Sequence, residues 1–294
     1  MAWALDLDGV VWRGTEGVPG SAEAVWLLQG AGERVLFVTN NSGRPVVDTE
    51  EKLAGLGIDA MGGVVTSGMA AARLVSPGER VLGMCGPGCR EELERVGAEV
   101  VQADLAEDRR FDTVVVGFHE DFDYRGLTAG VQAVLGGARL LGTNDDVTFP
   151  AHDGLRPGAG SLLAAVVAAT GVTPELAGKP YGPMCDLVRE LADESDVIAA
   201  GAGASAAAHV MVGDRPDTDG RFARALGWRW SLVLSGLTGA GDLPVDPNAD
   251  TVHDDLLACV QDHLAGQPGM SGRGGALAGS LYGSGLRQPH SSGH

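Results

Sequence analysis

Two aspartates stand two residues apart at the end of the first apolar run, in the segment AWALDLDGV. Because side chains alternate along a strand, Asp6 and Asp8 would point the same way if residues 3–7 form one. Gly9 then permits a sharp turn, and ligands of open α/β sheets bind where strands end. Two neighbouring carboxylates repel one another, which implies a hard divalent cation between them. The alternative is a polar strand exit with an ordinary Asp-Gly turn.

A hydroxyl and two amides follow the second apolar run, residues 35–38. They belong to Thr39, Asn40 and Asn41 in the segment FVTNNS. At a strand exit such groups can donate hydrogen bonds to phosphoryl oxygens through side chains and backbone. A capped loop is the alternative for this motif taken alone.

Lysine is scarce in this chain, and its two lysines are Lys52 and Lys179. Lys179 stands in the segment AGKPYGP, just before a predicted helix at residues 183–193. A point charge there suits a phosphate group or the charge that develops on a phosphoaspartate. A solvated surface lysine is the alternative.

A second acidic motif follows a later apolar run, residues 210–212, in the segment VMVGDRPDTDG. Asp214 stands at the predicted strand end, and Asp217 and Asp219 come after it. A calcium-binding loop needs ligands at alternate positions, and Pro216 would occupy its third position here. The pattern therefore predicts carboxylates at another strand exit and no calcium loop.

Short apolar runs alternate with helical stretches, which predicts an α/β protein with a mostly parallel sheet. The predicted strands are 3–7, 34–38, 64–66, 80–84, 113–117, 139–143, 209–212 and 231–234. The predicted helices are 21–29, 47–56, 68–74, 90–96, 126–135, 159–169, 183–193 and 220–226. The four motifs then lie at strand ends and before a helix, where they combine into one site.

The motifs DLDGV, FVTNNS, GKP and VGDRPDTD match, in this order, those of the haloacid dehalogenase superfamily, and the chain resembles its phosphohydrolases. The sequences FVTNN and GDRPDTD further resemble those of the NagD-like, p-nitrophenylphosphatase-like branch. The resemblance covers about residues 1–264 and includes the stretches VVTSG, GTNDDVTFP and SLVLSGLT. The chain departs from the branch at Asp145, Pro216 and Gly220, and none of these is a predicted site residue.

The resemblance implies a Rossmann-like three-layer core with an inserted α/β cap. We expect residues 1–78 and 177–265 to form the discontinuous catalytic core and residues 79–176 to form the cap. The gap between the second and third motifs is too long for a loop, in agreement with an insertion. Residues 266–294 are rich in Gly and Ser and contain no Asp or Glu, which predicts a flexible tail.

The resemblance also implies a role for each matched residue. Asp6 would be the nucleophile that forms a phosphoaspartyl intermediate. Asp8 would protonate the leaving alkoxide and then deprotonate the hydrolytic water, and Lys179 would neutralise Asp6 and the transferring group. The predicted phosphate-binding and substrate-binding residues are Thr39, Asn40, Asn41 and Gly9. The predicted Mg²⁺ ligands are the carboxylate of Asp6, the backbone carbonyl of Asp8 and Asp214, with Asp219 ordering the surroundings of the ion.

The resemblance thus predicts a Mg²⁺-dependent phosphatase that acts on a small phosphorylated metabolite. Sugar or glycerol phosphates, phosphoglycolate and nucleoside monophosphates are the expected substrate types, and a homodimer through the cap is expected by analogy. Two alternatives stay open: a phosphotransferase or mutase, and a phosphate-binding regulator without turnover. An Asp6→Asn variant is expected to lose activity and keep its fold.

Composition and charge argue against several other classes of protein. The formal net charge of −18 argues against nucleic acid and anionic membranes as partners, and 44% hydrophobic residues exclude a disordered chain. Acidic residues near the start argue against a signal peptide, so a cytoplasmic location with four reduced cysteines is expected. The segment AGAGASA fits a dinucleotide-binding fingerprint, but too few residues separate it from the next strand for a crossover helix. Residues 199–208 are therefore expected to be a loop of small residues.

Overall fold

A computed structural model describes residues 1–103, 110–151, 154–199 and 209–266. Its largest sheet contains the strands β1 (Ala2–Leu5), β4 (Arg34–Thr39), β5 (Val64–Thr66), β13 (Val210–Gly213), β14 (Arg229–Val233) and β15 (Thr251–His253). They run in the order β15-β14-β13-β1-β4-β5, and every neighbouring pair is parallel. The chain starts in the middle of this sheet, adds strands on one side, and later adds strands on the other side.

Helices cover both faces of the six-stranded sheet. They are α1 (Ser21–Gly30), α2 (Val46–Gly55), α3 (Ser67–Ala72), α7 (Gly182–Ala199), α8 (Arg221–Leu226) and α9 (Leu256–Ala265). Side chains of β1 alternate between the faces: Trp3 and Leu5 pack in the cluster with α1 and α9, and Ala2 and Ala4 in the cluster with α7 and α8. Because both faces are buried, these strands are apolar throughout, as parallel strands usually are.

A second sheet contains the strands β6 (Arg80–Met84), β7 (Glu99–Gln102), β8 (Thr113–Val116), β9 (Arg139–Gly142) and β12 (Glu175–Leu176). These five strands are parallel, in the order β12-β9-β8-β6-β7. Helices α5 (Tyr124–Leu135) and α6 (Ala159–Thr170) pack on one face, and α4 (Pro87–Arg95) packs on the other. All of its strands fall within the predicted cap, residues 79–176, although the domain boundaries themselves stay a prediction.

Two short antiparallel hairpins complete the described strands. The first pairs β2 (Trp12–Arg13) with β3 (Glu16–Gly17), and the second pairs β10 (Thr148–Ala151) with β11 (Gly154–Pro157). The predicted α/β class with mostly parallel sheets is therefore confirmed. No helix among the described residues is both long and apolar enough to cross a bilayer. All four cysteines are buried as free thiols.

The structure corrects the predicted end of the first strand. Strand β1 ends at Leu5, and the chain bends at Leu7, so the two aspartates do not share one regular strand. The backbone N–H of Gly9 donates to the carbonyl of Trp12 at 2.7 Å, which closes the turn that follows. The predicted loop at 199–208 and the predicted tail at 266–294 lie outside the described residues, apart from the first residue of each.

Candidate active site

The carboxyl ends of three central strands meet at one crevice. Strand β1 lies between β4 and β13, which is where the strand order changes direction and where open α/β sheets bind ligands. A cavity of about 520 Å³ opens there. Every predicted site residue lines it: Asp6, Asp8, Gly9, Thr39, Asn40, Asn41, Lys179, Asp214 and Asp219.

Lys179 occupies the centre of the site, and its side chain is only 2% exposed. Its Nζ donates to Oδ1 of Asp6 at 2.7 Å and to Oδ1 of Asp219 at 2.8 Å. Burial alone would lower the pKa of this lysine, but the two carboxylates outweigh burial and hold the pKa above its ordinary value. Lys179 is therefore a permanent cation at the floor of the cavity.

Three buried carboxylates form one cluster around this cation. Oxygen atoms of Asp6, Asp214 and Asp219 lie within 4.8 Å of one another. Burial raises the pKa of Asp6 well above its ordinary value, and burial with the neighbouring charge of Asp219 raises the pKa of Asp214 to about 7. Three carboxylates against one lysine leave a deficit of positive charge, which a divalent cation would neutralise.

The Oδ1 atom of Asp214 is available as a metal ligand. Oδ2 of Asp214 accepts a hydrogen bond from the backbone N–H of Leu237 at 2.6 Å, whereas Oδ1 is buried without a partner among the described residues. Asp219 has both oxygens engaged, because Oδ2 accepts from the backbone N–H of Arg215 at 3.2 Å. Hard carboxylate oxygens in this arrangement fit Mg²⁺ or Ca²⁺.

Asp8 lies at the cavity wall, with its side chain open to the cleft. Its Oδ1 accepts a hydrogen bond from Nε1 of Trp12 at 2.9 Å. Partial desolvation in the cleft raises the pKa of Asp8, against the opposing charge of Lys52 and the bond from Trp12. A raised pKa is what a carboxyl group needs in order to donate a proton near neutral pH.

The backbone at Gly9 explains why a glycine follows the second aspartate. Gly9 has φ +86°, a left-handed conformation that favours glycine. A Cβ atom at this position would lie 2.5 Å from Oδ2 of Asp214. The absence of a side chain thus allows the turn after β1 to approach the carboxylate that follows β13.

The amide of Asn40, predicted to contact phosphoryl oxygens, makes hydrogen bonds within the protein. Its Oδ1 accepts from the backbone N–H of Lys179 at 2.8 Å, and its Nδ2 donates to Oδ2 of Asp146 at 2.9 Å. The side chain therefore fixes the lysine loop, and the contact of Asn40 with phosphoryl oxygens stays a prediction. The hydroxyl of Thr39 accepts from the backbone N–H of Asn41 at 3.0 Å, which orders the same strand exit.

The structure adds cavity residues that sequence reasoning missed. Phe118 and Phe149 come from the second sheet and its hairpin, and their rings meet edge to face at 5.0 Å. A guanidinium nitrogen of Arg215 lies 3.3 Å from Oδ1 of Asp146, and this ion pair joins the loop after β13 to the segment after β9. Phe149 and Arg215 stand in the stretches GTNDDVTFP and VGDRPDTD, but residue type and spacing did not show that their side chains would line the cavity.

Comparison with known proteins adds independent information. Residues 3–99 match a family model described as haloacid dehalogenase-like hydrolase, and residues 176–259 match one described as HAD-hydrolase-like. An acid sugar phosphatase of Staphylococcus saprophyticus is 34% identical over 224 residues, which cover 74% of this chain and 80% of that protein. The chain belongs to the haloacid dehalogenase-like hydrolases. It is a hydrolase of the phosphatase kind, as the motifs predicted.

Solved structures place this haloacid dehalogenase-like hydrolase in the NagD and p-nitrophenylphosphatase branch. The p-nitrophenyl phosphatase of Archaeoglobus fulgidus has a TM-score of 0.76 and 29% identity, with 89% of this chain and 98% of that chain covered. A glycerol phosphate phosphatase of Mycobacterium tuberculosis, solved in complex with magnesium, has a TM-score of 0.75 and 32% identity, with 88% and 77% covered. A further structure of that phosphatase contains calcium.

Proposed function

We propose that this chain is a Mg²⁺-dependent phosphatase that hydrolyses small phosphate monoesters through a phosphoaspartyl intermediate on Asp6. The observation that carries the proposal is the cluster of Asp6, Asp214 and Asp219 around the buried Nζ of Lys179. The cluster lies at the carboxyl ends of the central strands, on the floor of a cavity.

The first half-reaction transfers the phosphoryl group to Asp6. A carboxylate oxygen of Asp6 attacks phosphorus, the bond from phosphorus to the ester oxygen breaks, and its electron pair leaves with that oxygen. Lys179 offsets negative charge on the nucleophile and on the transferring group. The covalent relay divides a very slow hydrolysis into two easier displacements.

Asp8 handles the proton in both halves. Its protonated carboxyl group gives a proton to the leaving oxygen, so that a neutral alcohol departs. The resulting carboxylate then takes a proton from a water molecule, which attacks phosphorus and releases phosphate from Asp6. The raised pKa of Asp8 supports its first role, because the acid form must be populated before the ester bond breaks.

The residues that would hold the cation are Asp6 and Asp214, with the backbone carbonyl of Asp8 as the third ligand that the family resemblance implies. When bound, a divalent cation supplies positive charge that stabilises the phosphoryl oxygens and permits them to approach the carboxylates. The buried, unpartnered Oδ1 of Asp214 supports this assignment among the described residues. Magnesium and calcium in the mycobacterial relative support the choice of a hard divalent ion.

The dimensions of the cavity favour a small substrate. A volume of about 520 Å³ is typical of sites for small molecules. The rings of Phe118 and Phe149 line its cap side, so the cavity would not admit a polymer there. Names of relatives favour sugar phosphates and glycerol phosphate, and phosphoglycolate and nucleoside monophosphates remain within the proposed class.

A phosphate-release panel tests the proposal. Sugar phosphates, glycerol 3-phosphate, phosphoglycolate, nucleoside monophosphates and p-nitrophenyl phosphate are supplied with Mg²⁺ or with a chelator. We expect Mg²⁺-dependent release with at least one small ester and none from the Asp6→Asn variant. Transfer to an added sugar instead of water would favour the phosphotransferase alternative. Binding of phosphate without turnover of any ester would favour the regulator.

A further inference from the structure

We propose that Trp12 is a positioning residue that holds the acid Asp8 in its working orientation, and that Lys52 fixes the Trp12 ring. This inference rests on the proposed function, because it assumes that Asp8 protonates the leaving group. It assigns a role to Lys52, the lysine that lies outside the carboxylate cluster, and to the short β2–β3 hairpin.

The indole of Trp12 is held rigidly beside Asp8. Its side chain is 4% exposed and belongs to the hydrophobic cluster between the six-stranded sheet and helix α1. The ring nitrogen Nε1 donates to Oδ1 of Asp8 at 2.9 Å. The short turn from Asp8 to Trp12 is closed by the bond from Gly9 N–H to the Trp12 carbonyl, so the indole has little freedom to move away.

Lys52 reaches the hairpin from helix α2. Its Nζ lies 3.6 Å from the centroid of the Trp12 ring and donates to the carbonyl of Gly14 at 2.8 Å. A cation over an indole face is attracted by the ring, and it withdraws electron density from the ring N–H. Lys52 thus stabilises the position of Trp12 and strengthens its N–H as a donor to Asp8.

The hydrogen bond selects which oxygen of Asp8 carries the proton. An indole nitrogen is a donor only, so Oδ1 must act as an acceptor. The carbonyl oxygen of a neutral carboxyl group is its better acceptor, which leaves the proton on Oδ2. When the phosphorus–oxygen bond breaks, the electron pair stays on the leaving oxygen, and that oxygen takes the proton from Oδ2.

Leaving-group dependence separates this role from a purely structural one. A poor leaving group needs the acid, whereas p-nitrophenolate departs readily without it. The test compares kcat/KM for phenyl phosphate and for p-nitrophenyl phosphate, since both values include ester cleavage. Trp12→Phe keeps an aromatic ring over the same place but removes the N–H. We expect it to lower the phenyl to p-nitrophenyl ratio by roughly ten-fold, part of the 10²–10⁴ that general acids contribute.

A matched control is available in the same hydrophobic cluster. Trp3 is 1% exposed, and its Nε1 has no hydrogen-bond partner among the described residues. Trp3→Phe therefore loses similar packing with no link to Asp8, and we expect an unchanged ratio. An equal fall in both esters for Trp12→Phe would overturn the inference, and so would an equal change of the ratio in Trp3→Phe.

Two further variants keep the test decisive. Asp8→Asn should lower the ratio more than Trp12→Phe does; an unchanged ratio there would contradict the role of Asp8 in the proposed function, and the inference would fall with it. If Trp12→Phe does not fold, Lys52→Met decides, because it keeps Trp12 and removes only the cation over its ring. A fall of the ratio by about three-fold, a fraction of the general-acid contribution, would support the inference, and an unchanged ratio would overturn it.

Discussion

Asp6 has two proposed roles in this site, as the nucleophile and as a metal ligand. It is buried, it contacts the Lys179 ammonium, and one of its oxygens lies within 4.8 Å of an oxygen of Asp214, close enough to share a metal ion. The carboxylate and its amide have nearly the same shape, so Asp6→Asn removes the proposed nucleophile with little change in volume. We expect phosphate release to fall by at least a thousand-fold while the circular dichroism spectrum and the melting temperature stay close to those of the wild type. Activity within a few-fold of wild type would contradict the assignment.

Gly9 is a residue whose importance comes from the backbone. In a Gly9→Ala variant, the left-handed φ costs about 1–2 kcal/mol and the new Cβ would press on Asp214. We expect phosphate release to fall by more than ten-fold, measured beside the free energy of unfolding. Gly32→Ala is the matched control, since Gly32 has φ +78° and open space around its Cβ position. The control should lose stability but keep activity; equal activity losses would contradict the steric explanation.

At this scale the motifs predicted which residues gather but not every contact that they make. Asp6, Lys179 and Asp214 could be found because each follows or precedes a recognisable element in a familiar order. The engagement of the Asn40 amide with the lysine loop could not, because it depends on the packing of residues 139 positions apart. In the sequence Trp12 is one more apolar residue of the first segment, and its N–H gains significance only from the position of Asp8.

The segment after β9 links the two sheets through side-chain contacts. Asp146 in this segment accepts a hydrogen bond from Asn40 and pairs with Arg215, and both partners belong to strand exits of the other sheet. Burial raises the pKa of Asp146, but the adjacent Arg215 and the Asn40 bond oppose that shift. The contact fixes the Phe118 and Phe149 side of the cavity relative to the carboxylates.

Removal of this link should affect substrate binding. Asp146→Ala leaves the Asn40 amide and the Arg215 guanidinium without this acceptor, so we expect KM for the best ester to rise about ten-fold, with a smaller effect on kcat. Steady-state kinetics provide the measurement. Asp145→Ala is the neighbouring control, since Asp145 is exposed, accepts a hydrogen bond from Tyr181 and is not among the residues that line the cavity. A loss in kcat alone for Asp146→Ala would argue against a role in substrate binding.

Some elements were predicted to the residue, and others were missed for lack of a visible pattern. The strand at residues 64–66 and the helix that begins at Ala159 agree with the structure to the residue at those positions. The β2–β3 hairpin was missed because each of its strands has two residues, too few for alternation to be visible. Strand β15 was missed because Thr251–His253 follows a polar loop and carries little apolar signal. Helix α9 was also missed, although Leu256, Cys259 and Val260 are buried at helical spacing.

The whole molecule is strongly acidic, yet the proposed substrate is an anion. Of a formal charge of −18, three carboxylates gather at one point and are opposed there by a buried lysine. A bound divalent cation would reverse the local field without changing the acidic surface. This contrast favours small phosphate esters over nucleic acids. Assembly as a homodimer through the cap stays a prediction.

The carboxylate cluster also makes a prediction about stability. The pKa values of Asp6 and Asp214 are raised, so the metal-free folded state binds protons more tightly than the unfolded state. Its free energy of unfolding should therefore fall as the pH rises from about 4, the ordinary aspartate value, to about 7, the value for Asp214. Mg²⁺ competes with those protons, so it should stabilise the protein more at pH 8 than at pH 5.

Thermal denaturation with and without Mg²⁺ at the two pH values checks this expectation. At a hundred times its dissociation constant, an ion adds about 2.7 kcal/mol, which corresponds to a rise of several degrees in Tm. We expect this rise at pH 8, a much smaller one at pH 5, and none at pH 8 in Asp214→Ala. A larger effect of Mg²⁺ at the acidic pH would contradict the electrostatic account.

The covalent intermediate on Asp6 is the central claim, and chemical trapping tests it most directly. The Asp8→Asn variant should accept the phosphoryl group from p-nitrophenyl phosphate and then lack the base for hydrolysis, so the acyl phosphate accumulates. Borohydride reduces an aspartyl phosphate to homoserine, which mass spectrometry of the N-terminal peptide can locate. We predict homoserine at position 6 in the presence of Mg²⁺ and substrate, and none without substrate. Release of nitrophenol with an unreduced Asp6, or reduction at another carboxylate, would contradict the account.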